Sequence, residues 1–384
     1  MSQYIDTDAK LTRYLQTIDQ TEWVALDTEF MREKTYFPRL CLIQIATTDT
    51  LACIDPLTIH DLQPLFAWLQ QPRITKVFHA AGQDLEIFHY LARQIPAPVF
   101  DTQIAAAVLG LGDQMGYARL VEQLLKVQLD KSQSRTDWQQ RPLRQRQLDY
   151  AIDDVRYLRQ VYPLLHAELK QSGRMDWLEK SFRKLTDPAT YEPAPRSSWE
   201  RIRNLQLLKP ARLAILRELA AWREEQAMHK DRPRRWILGD EVLVDMSRMT
   251  LEQVDDLHQI RGLTEDQIKR HARTWLELIR QAEALPQEQW PQLPRKRKLD
   301  SQLSLVADLL MVAVSQQAEQ HNISPQMLAS RAQVEKMLTE GRQKLSDDWR
   351  GNLLNDMFAD LLAGRSHLQI RGQQVVLEPA PEQH

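Results

Sequence analysis

Cysteine is nearly absent: Cys41 and Cys53 are the only two in 384 residues, both inside apolar runs with strand character. Such a chain carries no disulfide framework and no cysteine metal spacing, so both thiols are expected to be buried and reduced. Glycine is scarce as well, and none of the 11 is followed by lysine. That excludes a Walker-type phosphate loop, and with it ATP-driven helicase chemistry. No apolar stretch approaches the roughly 18 residues of a membrane span. The opening MSQYIDTDAKL lacks the basic n-region and apolar core of a secretory signal. A cytoplasmic protein without a membrane partner is expected. An excess of either charge is missing too, since 50 basic residues face 52 acidic ones for a formal net charge of −2. Any affinity for a polyanion must come from local patches.

What is present is an ordinary globular composition, 43% hydrophobic and 27% charged, in a length suited to two or three domains. The first part mixes strands and helices. Strands are expected at 23–29, 41–47, 51–54, 74–78 and 98–100, and helices at 61–70, 82–93 and 101–110. A longer helix is expected from Pro142 to about Lys170, kinked near its end by Pro163. This pattern predicts an α/β domain over 1–170, a mixed sheet flanked by helices. Strand signals then fade. A proline-rich stretch within 171–202 reads as a linker, 203–283 as a helical domain, 284–300 as a second linker, 301–372 as another helical domain and 373–384 as a tail. The two helical blocks have similar lengths and each opens on a long amphipathic helix, which suggests a repeated module.

The stretch WVALDTEF ends in two acids, Asp27 and Glu29, two residues apart. In a strand both face one way, where they repel and lose hydration on burial. In FHAAGQDLEIF, Asp84 falls in the first turn of a helix, where an acid also complements the helix dipole. In YAIDDVRYLRQVYPLL, Leu158, Val161 and Leu165 mark a buried stripe at about 100° per residue. Tyr150 and Asp154 share that stripe, Asp153 sits at its edge and Arg156 lies on the far side. Separate elements thus bring carboxylates inward with no lysine or arginine on the same faces. Two divalent cations about 3.5–4 Å apart would neutralise them and clamp a phosphoryl displacement.

These motifs, in this order, resemble the DEDD exonuclease superfamily in its tyrosine-bearing branch, and more closely the bacterial ribonuclease D family. TYFPRLCLIQIA, FDTQIAA and LDKSQSRTDWQQRPL also resemble that family, and the helical blocks resemble its two HRDC modules, so the likeness spans nearly the whole chain. The resemblance implies an RNase H-like first domain and metal-dependent 3′→5′ hydrolysis of RNA to nucleoside 5′-monophosphates. It also implies structured small RNAs with a free 3′ end as substrates, precursors of transfer RNA among them. Asp27, Glu29, Asp84 and Asp154 would hold two Mg²⁺ or Mn²⁺ ions, and Tyr150 would orient the attacking water. A phenol stays protonated near neutrality, so it positions a nucleophile and leaves activation to metal. Two alternatives remain: a catalytically silent RNA-binding scaffold, and a DNA-directed exonuclease of the same superfamily.

Further residues carry weaker signals. Phe30 would stack on the terminal base or pack the core. His79 would reach the terminal nucleotide or be satisfied internally. Gln44 would serve substrate or backbone. Lys131 and Arg135 would touch phosphates or simply be solvated. Asp101 suits a helix N-cap better than a metal ligand. In HKDRPRRW, Arg232, Arg234 and Arg235 beside Trp236 are denser in charge than solubility needs, so they are candidate phosphate contacts. The last helical block is less basic and would suit packing on the first domain as well as RNA.

Overall fold

The computed structural model describes residues 2–130, 132–133, 136–293 and 299–381. Lys131 and Arg135 lie outside the described residues. The chain divides into two compact units. One holds Met1–Phe30, Leu40–Tyr191 and Arg297–His384; the other holds Met31–Arg39 and Glu192–Lys296.

The first unit begins with β1 (Gln3–Ile5), α1 (Asp8–Thr17), β2 (Trp23–Met31), β3 (Arg39–Ala46), β4 (Leu51–Ile54), α2 (Gln63–Leu69), β5 (Thr75–Phe78), α3 (Gly82–Ala92), β6 (Val99–Asp101) and α4 (Thr102–Val108). It continues through α5 (Tyr117–Leu125), α6 (Gln145–Arg156), α7 (Leu158–Gln171) and α8 (Glu179–Leu185). The sheet order is β1-β4-β3-β2-β5-β6. It is mixed: β3 and β4 run antiparallel, while β1–β4, β2–β5 and β5–β6 are parallel.

Each sheet face has its own core. Val24, Leu26, Ile43, Ile45 and Ile54 pack with Leu11, Leu65, Leu85 and Phe88 on one side. Ala25, Ala46, Val77 and Phe100 pack with Val121, Val155, Val161 and Leu165 on the other. Alternation along β2 therefore puts Asp27 and Glu29 on the Ala25 face, beneath the layer that contains α6. Burying Val24 or Leu26 contributes of order 2 kcal/mol each. A slip of one residue would exchange these side chains with the acids, so the apolar alternation also sets where the carboxylates point.

Several expectations change. The helix after Pro142 starts only at Gln145. Arg144 is extended, with φ −74° and ψ 151°, and its N–H donates to the Gln147 side chain at 3.0 Å. The long helix then divides at Tyr157 rather than near Pro163, which sits inside α7. The two halves have different partners, since α6 packs on β4 and α7 on α4, α5 and β5. The supposed linker 171–202 contains α8, whose Phe182 meets Phe100 edge-on at 5.5 Å. β1, α1 and α5 had no expectation at all.

The second unit carries α9 (Pro210–His229), α10 (Arg234–Ile237), α11 (Asp240–Arg248) and α12 (Glu265–Glu283). Leu213, Leu216, Leu219, Leu243, Trp275 and Ile279 form its core. The connection from β2 to β3 belongs here. The Tyr36 and Phe37 amides each donate to Asp231 at 3.0 Å.

The last block, α13 (Ser301–Gln320), α14 (Pro325–Leu328), α15 (Arg331–Thr339) and α16 (Trp349–Leu362), belongs to the first unit. Trp177 and Trp349 stack at 4.0 Å and 3°, with Arg174 over one ring and Arg350 over the other. Lys180 pairs with Asp348 at 3.2 Å, and Ser324 donates to Asp113 at 2.6 Å. Packing on the first domain, one of the two roles left open, is thus observed. In the stretch expected as a tail lies β8 (Gln374–Pro379), which pairs as a two-stranded hairpin with β7 (Ser366–Arg371) at the end of the preceding block. The alternating Val375 and Leu377 of β8 were hidden by the proline and charge that follow.

Candidate active site

β2, α3 and α6 bring the acids together. Oxygens of Asp27, Glu29 and Asp154 all lie within 4.8 Å of one another. Asp84 stands in the first turn of α3, 7% exposed, and its carboxylate accepts the Thr28 hydroxyl. None of the four makes an ion pair with lysine or arginine among the described residues. Tyr150 and Asp154, one helical turn apart, face the same group. The Asp27 carboxyl is pushed well above the carboxylate range by burial, then by the charges of Asp154, Asp84 and Glu29. Burial, with Asp154 and Asp84, raises Glu29 to about 9. Asp154 rises to about 7 through burial, Asp153 and Asp84. Asp84 also rises to about 7 through burial, against the pull of the Thr28 hydroxyl. Tyr150 is raised by burial and by Asp154, Glu29 and Asp27, so its hydroxyl keeps its proton.

This donor set fits a hard divalent cation. It offers clustered oxygen ligands whose mutual repulsion a cation would relieve. Asp153, by contrast, turns aside and pairs with Arg156 at 2.7 Å.

Two further residues support the site: Thr28, which carried no sequence signal, and Asp101, whose expected N-cap role is observed. Thr28 points to the other face of β2 by alternation, which hid its contact with α3. Asp101 caps α4, accepting from Gln103 at 2.8 Å and Ile104 at 3.3 Å. It also accepts the amides of Ala80 at 3.2 Å and Ala81 at 2.8 Å. Ala80 has φ +59°, a left-handed conformation costly for a residue with a Cβ. Asp101 thereby holds the turn that aims the first turn of α3, and so Asp84.

The weaker candidates separate. His79 has internal partners: its ring nitrogens lie 3.0 Å from Thr102 Oγ1 and 3.0 Å from the Met115 carbonyl. Phe30 packs against the core. Gln44 is fully buried on the Asp27 face, and neither amide atom has a hydrogen-bond partner among the described residues. The Arg234 guanidinium pairs with Glu224, only 3% exposed, and lies 4.8 Å over the Tyr36 ring. Arg235 is 74% exposed, with Glu241 at 3.3 Å. Arg232 lies 5.7 Å over the ring of Trp236, itself 56% exposed.

Comparison with known proteins follows the same lines. A 3′-5′ exonuclease family model matches residues 2–170, and an HRDC domain model matches residues 212–279. A ribonuclease D from Gluconacetobacter diazotrophicus is 38% identical over 380 residues, covering 98% of this chain and 96% of its own. One from Sphingobium indicum is 39% identical over 366 residues, covering 94% of each. The crystal structure of Escherichia coli RNase D, described as an exoribonuclease involved in structured RNA processing, has a TM-score of 0.82 at 34% identity. It covers 95% of this chain and 99% of that one.

Proposed function

The chain belongs to the ribonuclease D family of 3′-5′ exoribonucleases, and from that premise we propose that it trims structured small RNAs, transfer-RNA precursors among them, from a free 3′ end. Asp27, Glu29, Asp84 and Asp154 would hold two Mg²⁺ or Mn²⁺ ions. Bound there, the ions supply charge neutralisation and a nucleophile active at neutral pH. The residues of the chain do the rest. The carboxylates define where the scissile phosphate sits. Tyr150 keeps its proton and orients water for attack on phosphorus, so the preceding ribose O3′ leaves and a nucleoside 5′-monophosphate is released. Arg232 and Arg235 contact phosphates further along the RNA, with Trp236 offering a face for a base. Among the described residues no helix is long and apolar enough to cross a membrane. The observation that carries this reading is the carboxylate triangle of Asp27, Glu29 and Asp154, which pairs with no lysine or arginine among the described residues.

The test is a labelled-oligomer assay. With Mg²⁺ or Mn²⁺, 5′-labelled RNA should shorten as a ladder, EDTA should stop it, and a 3′-phosphate should block it. Binding without shortening would mean a silent scaffold, and preference for DNA would mean a DNA exonuclease. Cutting of circular RNA would contradict exonuclease action altogether.

A further inference from the structure

The segment leading into α6 is anchored by a buried ion pair that the proposed reaction does not use. Asp55 directly follows β4, and its side chain is 0% exposed. Arg141 grips it as a fork, Nε to Oδ2 at 2.6 Å and Nη2 to Oδ1 at 2.7 Å. Tyr4 donates its hydroxyl to the same carboxylate, and the Leu57 amide adds a bond of 3.0 Å. The other Arg141 donors meet carbonyls of Trp138 at 2.7 Å, Gln140 at 2.9 Å and Cys41 at 2.6 Å. With those three bonds, all five N–H groups of the guanidinium are engaged.

Stability alone does not call for this arrangement, because well-packed apolar residues often replace a buried ion pair at no loss. What the guanidinium provides is geometry. It joins β3 through Cys41, the end of β4 through Asp55, and the backbone of residues 138–140. Trp138, 2% exposed, lies against Tyr150, with ring centroids 6.1 Å apart at 37°. From the first turn of α6, the buried Gln147 reaches the same segment, its amide donating to Thr136 Oγ1 at 3.2 Å. The backbone around Trp138 is therefore fastened to the sheet on one side and to α6 on the other, and the indole backs the phenol.

We propose that Arg141 and Asp55 are a positioning pair for Tyr150, setting through Trp138 where the phenol hydroxyl stands relative to Asp27 and Glu29. This rests on the reading of Tyr150 as the residue that orients the attacking water. The pair governs the rate of the chemical step and not the hold on RNA. Lysine at 141 keeps the charge but cannot reproduce the fork or the carbonyl bonds.

The test is a double-mutant cycle in the full-length chain, Arg141→Lys with Tyr150→Phe, read as kcat and KM on a short RNA with Mg²⁺. Arg141→Lys should lower kcat by about 10- to 100-fold, the scale of a small misplacement of a catalytic group. KM should change by less than about 2-fold, and the Mg²⁺-induced rise in Tm should be retained. The double variant should be no slower than Tyr150→Phe alone, because one group acts through the other. Multiplying effects, with Tyr150→Phe itself slow, would overturn the positioning role and leave the reading of Tyr150 standing. A Tyr150→Phe enzyme at full rate would overturn both. If Arg141→Lys does not fold, Trp138→Phe takes its place in the cycle: it keeps apolar fill but draws the ring back, and the same two outcomes decide.

Discussion

Asp55 and Glu29 sit two strands apart in one sheet, the first carboxylate shut off from water and the second half-buried, and their surroundings treat them oppositely. Burial alone would raise Asp55, yet Arg141 and Tyr4 hold its carboxyl below the usual range. Glu29, also raised by burial, meets further negative charge from Asp154 and Asp84 and is driven up to about 9. In the second unit Glu224 repeats the Asp55 pattern, lowered by Arg234 and Tyr36 against its own burial. Depth therefore does not mark a metal site. The distinguishing feature is a cluster of acids from separate elements that pairs with no lysine or arginine among the described residues, a setting in which a divalent ion is the natural compensating charge.

The sharpest way to break the comparison is to remove acids from the unpaired cluster. Asp27→Asn, Glu29→Gln, Asp84→Asn or Asp154→Asn should each lower hydrolysis by about 10³-fold or more, measured in single turnover with Mg²⁺. Asp153→Asn should stay within a few-fold of the parent, since Asp153 already has Arg156. An inactive Asp153 variant beside an active Asp154 variant would show that α6 presents the other acid.

Reversing the paired site should have the opposite character. Arg141→Leu strands Asp55 in the interior and should cost roughly 3–5 kcal/mol in urea unfolding at pH 7. The pH dependence should invert. With Arg141 present, the folded carboxyl is lowered, so its stabilisation holds above the unfolded pKa near 3.9 and is lost as pH falls through the folded value. Without Arg141 the folded carboxyl is raised, and the variant should gain stability toward acid.

Tyr150→Phe should keep fold and metal response and lose about 10²-fold in kcat, as expected for one transition-state hydrogen bond. Smaller still is the effect expected in the second unit. Arg235→Gln should flatten the slope of log affinity against log salt by about 0.7, one single-strand phosphate contact. Arg234→Gln should instead lower stability, because Glu224 would lose its cation. Equal salt slopes in all three proteins would remove this face from RNA binding.

The same contrast explains what could be read beforehand. Asp27, Glu29, Tyr150 and Asp154 follow from period two in a strand and from four-residue spacing in a helix, which backbone geometry dictates locally. Asp84 needed its motif, because a first-turn acid has an ordinary explanation in the helix dipole. The partners of Arg234 were not legible because a basic run displays charge and conceals them: Glu224 lies on another helix, and Tyr36 is nearly two hundred residues away. The division at Tyr157 and the anchoring of residues 138–140 by Asp55 likewise arise from tertiary contacts that no local pattern carries. In the fold, alternating apolar strands such as 23–29 were legible, whereas β1, at three residues, was too short to show a period.

The central claim is that Glu29 and its neighbours oppose folding until a divalent ion arrives, and thermal unfolding of Glu29→Gln against the parent at pH 8, with and without Mg²⁺, tests it most directly. Burial and the charges of Asp154 and Asp84 push the folded Glu29 carboxyl up to about 9, above an unfolded value of about 4.3. Between those limits the folded state binds more protons, so the metal-free parent loses stability as pH rises. Glutamine removes that burden. Metal-free Glu29→Gln should melt above the metal-free parent, and Mg²⁺ should raise the Tm of the parent while barely moving the variant. A metal-free variant that melts at or below the parent, with the same Mg²⁺ shift in both, would contradict the account.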